Sequence, residues 1–250
     1  MPSHEWMGNI DLNDVKKHFL DPPREFSLLP FWAWNDTLED DKLRWQIDEM
    51  LDKGIFGAFL HARSGIETSD TPYFSEGWWH AVRTTVEHSA KNDFFAILYD
   101  EDKWPSGSAG GRVVAANPEY AKRGLKVEKW ELAGPRAITL DFSGDTLAIL
   151  AGRLVNRQSL DPASIVDLTD QKDSDWQVPE GLWCVMHFSE CIDTGTQIDY
   201  LNKAAVRKFI ELTHEEYYRR FGTHFGRTIP GIFFDEIYVN IPGIDLVWSQ

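Results

Sequence analysis

Four short stretches of this sequence are apolar almost without interruption: Pro30–Trp34, Ile55–Leu60, Phe94–Tyr99 and Gly231–Phe234. A strand with one face in water alternates polar and apolar residues, whereas a strand covered on both faces has no need to. Runs of this kind predict a parallel sheet buried between layers. Leu182–Phe188 is a fifth run of the same type. Helical repeats lie between them. Leu43, Ile47, Met50 and Leu51 form the first, with Asp36 and Glu39 resembling a capping box ahead of it and Gly54 in the place of a C-terminal glycine. Trp79, Val82 and Val86 mark a second helix, with Ser75 as its N-cap. Val206, Phe209, Ile210, Thr213, Tyr217 and Phe221 mark a third, opened by Asn202. Strands and helices in alternation are the signature of βαβ units.

The stretch from Leu125 to Pro179 breaks that rhythm. Leu125 and Val127, then Ile138, Leu140 and Phe142, then Leu147 to Val155 read as short strands, with turns at Gly134-Pro135 and Ser143-Gly144-Asp145. The expected fold class is α/β: a partial (β/α)8 TIM barrel of about five βα units carrying a β-rich insertion. Residues 1–124 hold the first three units, 125–180 the insertion, and 181–250 the fourth and fifth units. A whole barrel takes about 250 residues without insertions. The chain therefore reads as a fragment, whose partner is a missing C-terminal barrel half or a second copy of itself.

Charge narrows the partners. A net charge of −15 argues against nucleic acid and against an anionic membrane surface, since both demand a basic face. A neutral carbohydrate suits it. No apolar run approaches the roughly 18 residues of a membrane span, and Met1–Trp6 has neither the basic nor the apolar region of a signal peptide. Cys184 and Cys191 make no disulfide framework and no zinc ligand set. A cytoplasmic location is expected. Eleven tryptophans are many for this length; core packing accounts for most of them, and some can offer flat faces to sugar rings.

The chemistry sits where the apolar runs stop. Trp34 is followed by Asn35, Leu60 by His61 and Arg63, Tyr99 by Asp100, Glu101 and Asp102, and Phe234 by Asp235 and Glu236. Active sites of parallel α/β folds gather at the carboxyl ends of the strands. Glycosidic cleavage uses one carboxylic acid to protonate the leaving oxygen and a second carboxylate to attack or to activate water. Glu101 and Glu236 are the candidate catalytic pair. Trp34, Asn35, His61, Arg63, Asp100, Trp104 and Asp235 are the candidate sugar contacts. Plainer readings stand beside these: a solvated acidic loop or a Ca²⁺ site for Asp100–Asp102, an N-cap for Glu236, a structural role for His61. The glycine-rich segment Trp104–Gly111 lacks the Gly-Lys-Ser/Thr of a phosphate loop. His214-Glu215-Glu216 lacks the second histidine of a zinc protease motif, because Tyr218 and Arg219 stand there.

Several of these segments resemble a known group. Pro30-Phe-Trp-Ala-Trp-Asn35, Leu60-His61-Ala-Arg63, Leu98-Tyr-Asp-Glu-Asp-Lys-Trp-Pro-Ser-Gly107, Trp176-Gln-Val-Pro-Glu-Gly-Leu-Trp183 and Pro230-Gly-Ile-Phe-Phe-Asp235-Glu236 are similar to the family 106-like glycoside hydrolases, the α-L-rhamnosidase group. The resemblance spans about Phe26 to Tyr238. It implies a (β/α)8 catalytic domain, a carboxylate pair, an inverting mechanism and often a bound Ca²⁺. By the same resemblance Glu236 matches the general acid at the end of the fifth strand. Glu101 matches a strand-end residue that contacts the sugar or serves as second carboxylate, and the general base has no counterpart. Members of that group are far longer than this chain. The expected function is hydrolysis of O-glycosidic bonds, with α-L-rhamnosides foremost. The rival is a non-catalytic carbohydrate-binding or scaffold protein that keeps a half barrel.

Overall fold

The computed structural model describes residues 11–142, 145–156, 158–241, 244 and 246–249. The Met1–Trp6 segment and the turn expected at Ser143-Gly144 lie outside the described residues. In chain order the first elements are α1 (Leu12–Leu20), β1 (Phe31–Trp34), α2 (Asp40–Asp52), β2 (Gly57–Ala62), α3 (Glu76–Lys91), β3 (Phe95–Asp102) and α4 (Arg112–Ala116). Then come β4 (Arg123–Thr139), β5 (Thr146–Asn156), β6 (Ser159–Leu160), β7 (Val166–Asp167) and β8 (Asp175–Ile192). The last are α5 (Lys203–Leu212), α6 (His214–Phe221), β9 (Ile232–Phe233) and β10 (Leu246–Trp248). No helix among the described residues is long and apolar enough to cross a membrane. The chain forms two compact units, one from the residues up to Ala116 with Val206–Ile237, the other from Asn117–Ala205 with the described residues from Tyr238 onward.

The first unit holds a four-stranded parallel sheet in the order β1-β2-β3-β9. Its strands coincide with the four uninterrupted apolar runs. One face carries Trp34, Leu60, Ala62, Ala96 and Leu98, which pack into a core with Leu43, Trp78, Val82, Val86, Tyr217 and Phe221. The helices bring the other half of that core because their apolar residues recur every three to four positions. Ser75 caps α3 by accepting the Trp78 N–H at 3.1 Å. Asn202 likewise takes the N–H groups of Ala204 and Ala205 at the start of α5. The expected capping box is not formed: Asp36 takes the neighbouring Thr37 N–H, and Glu39 pairs with Lys42. Gly54 follows α2 in the left-handed region, at φ +75, as a helix-ending glycine should.

The second unit is an antiparallel sheet in the order β10-β4-β8-β5-β6, with β7 paired to β5. Here the sequence expectation is corrected. Leu182–Phe188 is not a fourth parallel strand. It is the middle of β8, antiparallel to β4 on one side and β5 on the other. An apolar run marks a strand with apolar contacts on both faces and says nothing of direction. Direction is read from the partners: β8 runs opposite to β4 over Arg123–Thr139 and opposite to β5 over Thr146–Arg153. The β-rich part therefore reaches well beyond residues 125–180. Its core is separate: Leu140, Ile149, Ala151, Leu168, Trp176, Val178, Trp183 and Val185. The observed architecture is mixed α/β, with one parallel and one antiparallel sheet.

One contact ties the ends of β1 and β2. Gly65 has φ +116, and a methyl group there would lie 2.2 Å from the Asn35 carbonyl oxygen. Gly65→Ala is expected to lower the unfolding free energy by about 2–3 kcal/mol, from backbone strain and this clash together. Urea unfolding followed by tryptophan fluorescence checks it; an unchanged midpoint would mean that the loop relaxes freely.

Candidate active site

Side chains alternate across a strand. The residues that do not enter the helix-facing core therefore meet on the other face of the parallel sheet. Phe31 lies 5.2 Å, centroid to centroid, from each of Phe59, His61 and Phe233, and His61 stacks on Tyr99 at 3.8 Å. This aromatic floor opens at the carboxyl ends of the strands into a cleft of about 530 Å³, lined by Phe31, Ala33, His61, Arg63, Trp104, Asp235 and Glu236.

The acids at the end of β3 are not a solvated loop. The strand runs through Asp102, and Asp100 and Glu101 are buried. Glu101 turns both carboxylate oxygens to the chain that follows. Oε2 accepts the N–H groups of Gly107, Ser108 and Ala109 at 3.0, 2.7 and 2.8 Å. Oε1 accepts those of Asp102 and Gly110 at 2.8 and 2.6 Å. Such a concave array of N–H groups is an anion cradle, filled here by the protein's own carboxylate. Burial raises the Glu101 pKa, and the converging N–H groups pull it back toward the ionised form that all five donors require. Glu101 does not line the cleft. A Ca²⁺ site does not fit this geometry, because N–H dipoles that attract a carboxylate repel a cation. Among the described residues no group of three or more His, Cys, Asp or Glu side chains is arranged to hold a metal.

The loop held by Glu101 delivers two groups. Trp104, half exposed, donates its indole N–H to Glu236 Oε2 at 3.0 Å. Ser106 donates its hydroxyl to Asp100 Oδ1 at 2.6 Å and accepts the Asp235 N–H at 2.9 Å. Asp235 in turn accepts the Tyr99 hydroxyl on Oδ2 at 2.6 Å and the Glu236 N–H on Oδ1 at 2.7 Å. Burial and the neighbouring carboxylate keep Tyr99 protonated, so it remains a donor. Burial also lowers the His61 pKa. Its Nε2, 2.9 Å from the Lys103 carbonyl, must carry the hydrogen, which leaves the neutral ring an acceptor at Nδ1. Asp100 is pushed up to about 7, chiefly by burial and then by the charges of Glu101 and Asp235 against the pull of Ser106.

Of the residues singled out from sequence, His61, Arg63, Trp104, Asp235 and Glu236 meet in the cleft. Trp34 does not; it is buried on the helix-facing side against Trp78, 5.1 Å away. Asn35 is exposed outside the cleft, and Asp100 lies in its supporting wall. The sequence reading passed over Phe31, Tyr99 and Ser106. Strict alternation back from Asn35 and Glu101 would have found the first two; nothing in the sequence marked Ser106.

No family model matches this chain, and no curated protein matches it. Among solved structures, a rhamnosidase from Novosphingobium sp. PP1Y has a similar fold, with a TM-score of 0.57 and 13% sequence identity. The similarity covers 94% of this chain and 40% of the rhamnosidase chain. At that identity it is a likeness of fold, and the chain spans well under half of the rhamnosidase's length.

Two outcomes follow from the buried acids. Glu101→Ala leaves five N–H donors facing an empty cradle and is expected to cost about 3–5 kcal/mol of stability. Added formate should restore part of it, while Glu101→Gln with formate should not respond; denaturation midpoints with and without formate decide. Asp100 gives a pH dependence. Its folded value lies above the ordinary carboxylate value of 3.8, so the folded state holds a proton that the unfolded state has lost. Its contribution is intact below about pH 4 and is lost as pH rises toward about 7. Asp100→Asn should flatten that slope, and a slope unchanged by the substitution would assign it to another group.

Proposed function

We propose that the cleft is the sugar site of a glycoside hydrolase, with α-L-rhamnosides as the leading substrate class and Glu236 as the general acid. The observation that carries this reading is the meeting of Asp235, Glu236, His61, Arg63 and Trp104 in one cleft at the carboxyl ends of parallel strands. The fold likeness to a rhamnosidase is consistent with it. Trp104 holds one oxygen of Glu236, and the other then serves to protonate the leaving glycosidic oxygen. Arg63 and His61 supply hydrogen bonds to sugar hydroxyls. The exposed indole of Trp104 offers a flat face for the sugar's C–H groups. In this reading Glu101 holds the loop that carries Trp104 and Ser106, and Asp235 is the other acid of the cleft lining. The four parallel strands are then part of a (β/α)8 barrel of the family 106 type, completed by further βα units or by self-association.

One observation favours a second reading, carbohydrate binding without turnover. A hydrolase needs two carboxylates on opposite sides of the scissile bond, and Glu101 is engaged by backbone N–H groups instead. The test is a pair of substitutions read in two assays, hydrolysis of aryl α-L-rhamnosides and related glycosides, and calorimetric binding of the free sugars. A hydrolase should lose about 10²–10⁴-fold in kcat with Glu236→Gln while keeping sugar affinity. Trp104→Ala should weaken binding in both cases. Sugar binding without hydrolysis of any glycoside, indifferent to Glu236→Gln, would sink the hydrolase reading in favour of the binding one.

A further inference from the structure

The wall behind Asp235 contains a buried acid that the cleft chemistry above does not use. Asp100 is wholly buried. Its Oδ1 takes the Ser106 hydroxyl, while its Oδ2 takes no hydrogen bond and lies 3.6 Å from Nε2 of His214 at the start of α6. The hydrogens of His214 can be assigned by elimination. Thr213 has one hydroxyl proton and gives it to the Phe209 carbonyl at 2.7 Å. Its oxygen, 2.8 Å from His214 Nδ1, can then only accept, so Nδ1 carries a hydrogen. A neutral His214 therefore presents a bare lone pair at Nε2 to the lone pairs of Asp100 Oδ2. Two acceptors facing each other in a buried site repel, and one proton between them removes the conflict.

We propose that Asp100 and His214 share a single proton and act as positioning residues, their protonation state being passed through Ser106 to Asp235 at the cleft. The link is a continuous chain of donors and acceptors: His214 Nε2, Asp100, the Ser106 hydroxyl and the Asp235 N–H. With the proton in place the wall is attractive throughout. When it leaves, Asp100 becomes a full carboxylate that pulls harder on Ser106 and repels Nε2, and the segment carrying Asp235 and Glu236 shifts with them. The groups that act on Asp100 are Glu101 on its own strand, Asp235 beyond β9, His214 on α6, and the hydroxyls of Tyr73 and Tyr217. Burial favours the uncharged form of both partners, raising Asp100 and lowering His214. The shared proton therefore sits on Asp100 at low pH and departs near neutrality.

The inference rests on the glycosidase reading only for calling Asp235 part of a catalytic cleft, and its test does not require turnover. The experiment follows the His214 ring nitrogens and the Asp235 side-chain carboxyl carbon by NMR across pH, in the wild type, Ser106→Ala and Asp100→Asn. In the wild type the His214 Nε2 and Asp235 signals should move with one common midpoint, with Nδ1 protonated throughout. Ser106→Ala should leave the His214 midpoint in place while Asp235 ceases to follow it. Asp100→Asn should abolish the common midpoint, and if that variant does not fold, the first two proteins still decide. A hydrogen on Nε2 of neutral His214, or an Asp235 signal that tracks His214 unchanged in Ser106→Ala, would overturn the proposal. A chain that hydrolyses no glycoside yet shows the common midpoint defeats the hydrolase reading and leaves this one standing.

Discussion

Five backbone N–H groups converge on the two oxygens of Glu101, and most of the cleft depends on where they place the loop that follows. That loop is intrinsically unfavourable. Lys103 and Ala109, neither of them glycine, take positive φ angles of 74 and 52, each costing on the order of 1 kcal/mol or more. Gly107, Gly110 and Gly111 absorb further positive φ at little cost because they lack a Cβ. Charge-assisted hydrogen bonds to a buried carboxylate are about twice as strong as neutral ones, and five together offset the strain. Arg112 secures the far end by donating to the carbonyls of Ala109 and Tyr73. With the loop set, Trp104 reaches Glu236 and Ser106 reaches both Asp100 and Asp235.

The parallel sheet was legible in the sequence because apolar side chains on both faces, one against the helices and the other forming the aromatic floor, remove alternation, and the four runs that lack it became β1, β2, β3 and β9. Helix starts were legible where the cap is a local event. Ser75 and Asn202 both accept from the first turn that follows them. The capping box at Asp36 failed because Asp36 found a nearer N–H and Glu39 a lysine. Leu182–Phe188 was misread for a deeper reason. Burial on two sides is common to a parallel sheet and to the middle strand of an antiparallel one, and composition does not distinguish them. Only the partners, β4 and β5, reveal the direction.

The cleft was legible to a lesser degree. Strand-end position identified His61, Arg63, Asp235 and Glu236 correctly as neighbours, because the ends of adjacent parallel strands must come together whatever their side chains. It misplaced Trp34, since the last residue of β1 faces the helices with Trp32, while Phe31 and Ala33, of the opposite parity, face the cleft. A shift of one residue along a strand exchanges core for site.

The two acidic strand ends show why residue type and position do not settle a role. Asp100 and Glu101 at β3, and Asp235 and Glu236 after β9, are the same chemistry at the same level of the sheet. Their surroundings separate them. After β3 the chain turns back through three glycines and presents its N–H groups to the acid, so Glu101 is spent on holding the backbone and Asp100 is enclosed behind it. After β9 the chain does not fold back in this way. Its acids are met by side-chain donors, Tyr99 on Asp235 and Trp104 on Glu236, and Asp235 also accepts the adjacent Glu236 N–H. Trp104 holds Glu236 by one oxygen and leaves the other to the cleft, whereas the ring of backbone N–H groups consumes Glu101. The supply of backbone N–H groups around each acid, set by the glycines downstream, thus decides which carboxylate holds the loop and which one faces the cleft.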